Sequence, residues 1–174
     1  RHSRDALEQE HRRLGNVIDG TNVGTWEWNV QTGEVIFNSR WAEMVGYMLD
    51  ELAPISIDTW KRLVHPEDLT SAEKQLDRHF SGELAYYVCE VRMKHKDGRW
   101  VWVLDRGKVS TWRDDGKPLL MSGTHQDISQ RKYDEEKLRR IIQELPIGMC
   151  MVDAAGRIYQ RNRRFLEMFG YDER

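Results

Sequence analysis

The chain has 174 residues, of which 39% are hydrophobic and 32% are charged, and its formal net charge is −2. This composition is typical of a folded globular protein, and the length allows one domain together with part of another. The near-neutral charge argues against nucleic acids and anionic membranes as partners, and no apolar run approaches the roughly 20 residues that a membrane-spanning helix needs.

Residues 1–20 predict an N-terminal linker helix, with its helical pattern over 3–19. The apolar side chains form a narrow stripe near heptad spacing, at Leu7, Leu14, Val17 and Ile18. Such a stripe is too narrow for a helix inside a core and suits packing against another helix. Because the chain begins at Arg1 without a methionine, we interpret it as a segment of a longer protein, in which a membrane anchor can lie elsewhere.

Residues 21–128 predict one α+β domain with a single antiparallel sheet. Period-two alternation and turn sequences such as Asp97-Gly98 predict five strands, at 25–30, 35–37, 84–95, 99–112 and 118–127. Short helices are expected between the second and third strands: one capped by Asn38 or Ser39, one over 56–64 that stops at Pro66, and one from Thr70 to Phe80. Because the strands do not alternate with helices, a parallel sheet is excluded.

A second, signalling linker helix is predicted over residues 129–145. Its apolar side chains again form a narrow stripe, at Leu138, Ile141, Ile142 and Leu145, and Pro146 ends it. Exposed alone, both stripes would be unsatisfied, whereas two chains side by side would bury them in a coiled-coil seam. We therefore expect a parallel homodimer through the linker helices.

The sequence repeats itself at an offset of 124 residues. Gly24 returns as Gly148, Asn38 returns as Asn162, and RWAEMVGY at 40–47 returns as RFLEMFGY. We interpret residues 146–174 as the start of a second, truncated domain. This copy has a hairpin and a helix without the rest of a sheet.

Several local sequences together resemble the PAS fold, in which five antiparallel strands carry short helices across one face. They are GTWEWNVQTGEVIFNSRWAEMVGY from residue 24, LVHPED from 63, CEVRMKHKDGRWVWVLDRGKV from 89 and SGTHQDISQRK from 122. The last resembles the PAC motif that runs into a signalling helix. The Trp-rich variant is similar to the subgroup found in bacterial sensor histidine kinases and diguanylate cyclases. The resemblance implies a dimeric module between an input and an output enzyme.

The concave face of the sheet and its helices are expected to enclose a mostly apolar interior. Many aromatic rings can line a small-molecule cavity, but indoles also take up much volume, and we expect a filled or nearly filled core. The expected lining residues are Trp26, Trp28, Phe37, Trp41, Met44, Trp60, Leu63, Leu76, Cys89, Val91, Trp102 and Leu104.

Four charged residues are candidates for a signal relay. Glu90 and Arg92 share one face of a central strand and Arg106 lies on the next, so we expect Glu90 to pair with Arg106 or Arg92. Asp127 is expected to cap the helix that leaves the sheet. The family resemblance implies that Asp127 also couples sheet movement to that helix.

No catalytic or metal-binding motif is present in the sequence, so we expect no enzyme activity in this segment. His79 lies on the helix where haem-binding PAS proteins carry their axial histidine and is the haem candidate. A histidine at a helix end also simply favours the helix dipole, and haem is not expected. Cys89 and Cys150 form no short-spaced motif, which favours a reduced, cytoplasmic setting.

The sequence therefore predicts a sensory and signal-relay module that dimerises and passes a stimulus to a histidine kinase or diguanylate cyclase output domain in the same chain. Two alternatives stay open. One is a sensor whose input is the binding of a small molecule or haem in the PAS pocket, and the other is a passive dimerisation scaffold.

Overall fold

The computed structural model describes residues 9–10, 12–13, 15–16 and 20–170. Most of the helix predicted over 3–19, including its stripe at Leu7, Leu14, Val17 and Ile18, lies outside the described residues. The chain divides into two compact units, Arg1–Ser129 and Gln130–Arg174.

The first unit contains a five-stranded antiparallel sheet with the strand order β2-β1-β5-β4-β3. This confirms the predicted α+β fold class. Its strands are β1 (Gly24–Asn29), β2 (Val35–Phe37), β3 (Tyr87–Lys94), β4 (Trp100–Trp112) and β5 (Pro118–Asp127). Because β1 and β5 are neighbours, the first and last strands of the domain lie at the centre of the sheet.

Three α-helices and a 3-10 helix connect β2 to β3. They are α1 (Ser39–Met44), the 3-10 helix (Leu49–Leu52), α2 (Ile57–Leu63) and α3 (Pro66–Phe80). Helix α3 begins at Pro66, so our expectation that it starts at Thr70 is wrong. Proline is favoured in the first turn of a helix, and the His65 ring accepts the Glu67 N–H, so the sequence that ends α2 also starts α3.

Strand β4 shows how the inner and outer faces of the sheet are set. Its residues alternate, with Val101, Val103, Asp105, Gly107 and Val109 buried and the residues between them partly or fully exposed. Two glycines on adjacent strands, Gly107 and Gly123, leave space on the inner face, and a Cβ added at either would overlap the indole of Trp26. The two glycines thus let the Trp26 indole pack closely against the backbone of β4 and β5.

The outer edge of β3 is covered by the junction between α2 and α3. The His65 N–H donates to the Arg92 carbonyl at 2.8 Å, and the Arg92 N–H donates to the Asp68 carboxylate at 2.8 Å. Val64 and Met93 form an isolated antiparallel bridge beside these bonds. The HPED sequence therefore attaches both helices to the sheet.

A single residue, Ile128, separates the end of β5 from the start of helix α4 (Ser129–Glu144). The second unit then contains a two-stranded hairpin of β6 (Cys150–Val152) and β7 (Ile158–Arg161), followed by α5 (Arg163–Phe169). Cys150 pairs with Arg161 across this hairpin, as Trp26 pairs with Phe37 in the first unit. The repeat in the sequence is thus a repeat of structure.

Candidate functional site

A buried carboxylate forms the centre of a polar cluster inside the first unit. Asp105 is 3% exposed, because the alternation of β4 directs it to the inner face. It accepts hydrogen bonds from the Trp26 indole at 3.1 Å and the Tyr87 hydroxyl at 3.2 Å. His125, 2% exposed, places its Nε2 3.0 Å from the same carboxylate. Three strands besides β4 therefore contribute to one carboxylate site.

Tyr87 stays a donor in this cluster. Burial raises the pKa of the Tyr87 hydroxyl well above its ordinary value, and the negative charge of Asp105 adds to the rise. Ionising Tyr87 would place a second negative charge beside Asp105 among buried side chains. The phenol is consequently protonated at physiological pH and holds Asp105 in place.

The cluster lies against a small cavity of about 30 Å³. This volume is close to that of one water molecule, so side chains fill most of the interior. Five of the expected residues line it, namely Trp26, Trp28, Phe37, Trp60 and Leu76. Five others that line it were missed: Val35, Ile57, Tyr87, Asp105 and His125.

The remaining expected residues lie elsewhere. Trp41, Met44 and Val91 are buried in the core, and Leu63 and Cys89 pack against it half-buried. Trp102 and Leu104 were placed on the concave face, and this is wrong. Their partners across β3 and β4 are Arg92 and Glu90, so they lie on the outer face.

Three indole N–H groups, those of Trp28, Trp41 and Trp60, are buried with no hydrogen-bond acceptor among the described residues. Those of Trp28 and Trp60 belong to residues that line the cavity. A buried donor without an acceptor costs roughly 1–3 kcal/mol. The lining of the cavity is apolar, so an acceptor in it would reach these nitrogens only after the lining side chains moved.

His79 has a structural role that uses both ring nitrogens. Its Nε2 accepts the Val109 N–H at 3.0 Å, and its Nδ1 lies 2.8 Å from the Leu84 carbonyl, to which it donates. The Val109 amide needs this acceptor because it lies beyond Tyr87 and Gly107, the last pair between β3 and β4, where β3 no longer offers it a carbonyl. With both nitrogens bonded and a cavity of only about 30 Å³, the residues present do not fit a haem.

Arg92 is bound by acidic residues of α3. Its guanidinium donates to the two Asp68 carboxylate oxygens at 2.8 and 2.7 Å and to Glu67 at 2.9 Å. These bonds from Arg92 lower the pKa of Asp68. Arg106 lies over the Tyr86 ring at 5.1 Å. The expected pairing of Glu90 with Arg106 or Arg92 stays a prediction.

Asp127 lies where the sheet passes into α4. Its carboxylate accepts the N–H of Ser129, the first residue of the helix, at 2.8 Å. The Ile128 N–H donates to the Trp102 carbonyl at 2.8 Å, and the Trp102 N–H donates to the Ser129 hydroxyl at 3.0 Å. The hydrogen bonding of the sheet thus continues into the first turn of α4.

One signal in the sequence marks the missed residues. In β4, Asp105 occupies the same phase as Val101, Val103 and Val109, so the alternation that buries the valines also buries a carboxylate. A buried carboxylate requires donors. His125, in phase with Met121 on the neighbouring strand, is a natural candidate.

Within the described part of the chain, no three His, Cys, Asp or Glu residues are grouped so that they could hold a metal ion. Among the helices of the same part, none has the length and apolarity to cross a membrane.

Residues 34–125 match a family model described as the PAS fold, and residues 136–174 match another with the same description. The chain is 27% identical to the probable diguanylate cyclase DgcE of Escherichia coli, over 97% of this chain and 14% of that protein. It is 25% identical to the sensor protein FixL of Bradyrhizobium diazoefficiens, over 99% of this chain and 34% of that protein. It therefore spans about a third of the length of FixL and a smaller part of that of DgcE.

Solved structures give the same fold. A sensory box histidine kinase/response regulator from Burkholderia thailandensis has a TM-score of 0.64 and 28% identity, covering 74% of this chain and 93% of that one. The N-terminal domain of a diguanylate cyclase with PAS/PAC sensor from Marinobacter aquaeolei has a TM-score of 0.55 and 23% identity, covering 63% of this chain and 98% of that one.

Proposed function

The chain belongs to the PAS fold family, and we propose that it is a sensory and signal-relay module of a multidomain signalling protein. The output is a histidine kinase or a diguanylate cyclase domain in the same chain, as the names of the relatives suggest. The module itself binds or senses and does not catalyse. The proposal includes a cytoplasmic location, where Cys89 and Cys150 stay reduced.

The observation that carries this proposal is the hydrogen-bonded passage from β5 into α4. Asp127, Ile128 and Ser129 are all bonded at the junction, two of them to the Trp102 backbone. A flexible linker would absorb a movement of the sheet, whereas a junction fixed in this way transmits it. A stimulus that shifts the sheet then rotates α4 or changes its register.

Dimerisation through the linker helices is the second part of the proposal. Leu138 and Ile141 of α4 are 58% and 48% exposed, although they belong to the apolar stripe. A parallel partner helix would bury them. Analytical ultracentrifugation of this chain tests the point: we expect a dimer at micromolar concentration that Leu138→Glu with Ile141→Glu dissociates, and a monomer of the unmutated chain at high micromolar concentration overturns it.

Replacing Asp127 with alanine in the multidomain protein tests the relay. We expect altered output activity with an unchanged melting transition of the sheet domain, because the cap affects only how α4 leaves it. Asp115→Ala is the matched control, since Asp115 caps the Lys117 N–H in a surface turn at 3.2 Å. Unchanged output in the Asp127 variant would favour the passive scaffold.

The orphan indole groups of Trp28 and Trp60 favour a second candidate, a sensor whose input is a small polar ligand in the first-unit cavity. Such a ligand would offer acceptor atoms to the indoles and displace side chains to enlarge the cavity. Native mass spectrometry of the purified chain tests it. A bound mass that Trp60→Phe releases supports the ligand sensor, and a spectrum of bare protein from cell extract counts against it.

A further inference from the structure

Arg92 contacts both helix α3 and the outer face of the sheet. On one side its guanidinium holds Asp68 and Glu67 in the first turn of α3. On the other side the same guanidinium lies over the Trp102 ring, 5.6 Å from its centroid. Its main-chain N–H also donates to Asp68, so the side chain and the backbone of Arg92 hydrogen-bond to the same carboxylate.

Trp102 in turn holds the start of α4. Its carbonyl accepts the Ile128 N–H and its N–H donates to the Ser129 hydroxyl. Both bonds involve the backbone of Trp102, so a shift of the Trp102 ring that moves its main chain moves the first turn of α4 as well. Arg92, Trp102 and Ser129 form a contiguous series of contacts from one helix to the other.

Helix α3 contacts the cavity, so a change in the size or contents of the cavity would displace it. Leu76, near the middle of the helix, lines the cavity directly. The helix is attached to the sheet at both ends, by His79 to Val109 and by Asp68 to Arg92. The second attachment reaches Trp102 through side chains, because the guanidinium of Arg92 lies over the Trp102 ring.

We propose that Arg92 is a positioning residue through which helix α3 sets the start of α4. This inference rests on the proposed function and names the connection between its input and its exit. Arginine suits the position because its planar guanidinium binds a carboxylate with two nitrogens and stacks on an indole at the same time. Lysine keeps the charge and can do neither in this way.

Amide hydrogen exchange of this chain tests the contact series directly. In Arg92→Lys and Asp68→Asn we expect Ile128 and Ser129 to exchange roughly ten-fold faster, the effect of one charge-assisted hydrogen bond. Glu83→Gln is the matched control. It breaks the Arg78–Glu83 pair (2.6 Å) at the other end of α3 and should leave both amides unchanged.

Loss of global stability is separated from this effect by an internal reference. Val103 on β4 is fully buried and paired with Val91, so we expect its amide to exchange only when the sheet opens, and the ratio of Ile128 to Val103 exchange then reports local loosening. The combination of Asp68→Asn with Trp102→Leu should raise the ratio no further than either change alone. A ratio that stays at the unmutated value in Arg92→Lys, or effects that multiply, would overturn the inference.

Output activity of the multidomain protein then separates the two proposals. Altered output in both Asp127→Ala and Arg92→Lys supports the inference together with the relay. If only Asp127→Ala alters output, the relay stands and the role of Arg92 is refuted. If neither does, the relay itself fails, whatever the exchange data show.

Discussion

Asn38 and Asn162, 124 residues apart, make the same three hydrogen bonds in the two copies. In each copy the amide oxygen accepts one N–H from the preceding strand segment and one from the following helix, and the amide nitrogen donates to a carbonyl before the strand. The paired partners are Thr25 and Met149, Trp41 and Phe165, and Val23 and Ile147. The repeat conserves this clamp although the interior side chains around it differ.

Asn38→Ala should lower the free energy of unfolding of the sheet domain by about 2–3 kcal/mol, since it removes a helix cap and two further hydrogen bonds. Urea denaturation measures the loss. Asn29→Ala, which removes an exposed turn interaction with Gln31 and Thr32, is the control and should cost about 1 kcal/mol or less. Equal losses of unfolding free energy in the two variants would argue against a stabilising role for the three hydrogen bonds of Asn38.

Gly123→Ala should destabilise the same domain by roughly 3 kcal/mol or more, or prevent folding. The added methyl would overlap the Arg106 carbonyl oxygen and the Trp26 indole, and the backbone cannot give way. Gly20→Ala, where a Cβ meets open space, should have little effect. Thermal melts of the two variants make the comparison, and a fully tolerated alanine at 123 would contradict the close approach of Trp26.

Acid should weaken the attachment of α3 to β3. Hydrogen bonds from Arg92 lower the folded-state pKa of Asp68, so its stabilising contribution is present above the unfolded value of about 3.9 and is lost as pH falls through the folded value. Between about pH 5 and pH 2.5, the free energy of unfolding should fall more steeply for the unmutated chain than for Asp68→Asn. If urea titrations give the same dependence of the unfolding free energy on pH for both chains, the pKa of Asp68 is not lowered in the folded state.

The two thiols should react at very different rates. Burial, with the nearby charge of Asp105 next in size, raises the pKa of Cys89 to about 11, while Cys150 is exposed. With its pKa at about 11, Cys89 holds about a hundred-fold less thiolate, the reactive form, than an ordinary thiol at the same pH. At mildly alkaline pH, mass spectrometry should find Cys150 alkylated first, and Cys150→Ser should remove the fast phase. Rapid modification of Cys89 in that variant would contradict its burial.

The strands were predictable because alternation and turn sequences act locally. Asp97-Gly98, for example, ends one strand and starts the next at the hairpin that the structure shows. It was harder to predict which residues of each strand face the interior. In β4 the residues VWVL at 101–104 are apolar at every position, so no phase can be read from them, and Trp102 and Leu104 were assigned to the wrong face. Asp105, which needs hydrogen-bond donors if it is buried, was the residue that could have identified the inner face.

The partners of Arg92 could not be predicted from its neighbours in sequence. Asp68 lies 24 residues earlier and reaches Arg92 only because the junction of α2 and α3 runs along the edge of β3. That junction was itself misread, since Pro66 serves both to end one helix and to start the next. Long-range charge pairs depend on the packed fold, and local pattern does not determine them.

The covered edge of β3 has a consequence for aggregation. An outer strand normally presents unpaired N–H and C=O groups that a strand from another molecule can extend. At Arg92 both backbone groups already have partners: the C=O accepts from His65 and the N–H donates to Asp68. The strand at the opposite edge, β2, has only three residues. Sheet-to-sheet polymerisation would have to dislodge two helices first, which leaves association through helices as the route with the lower barrier.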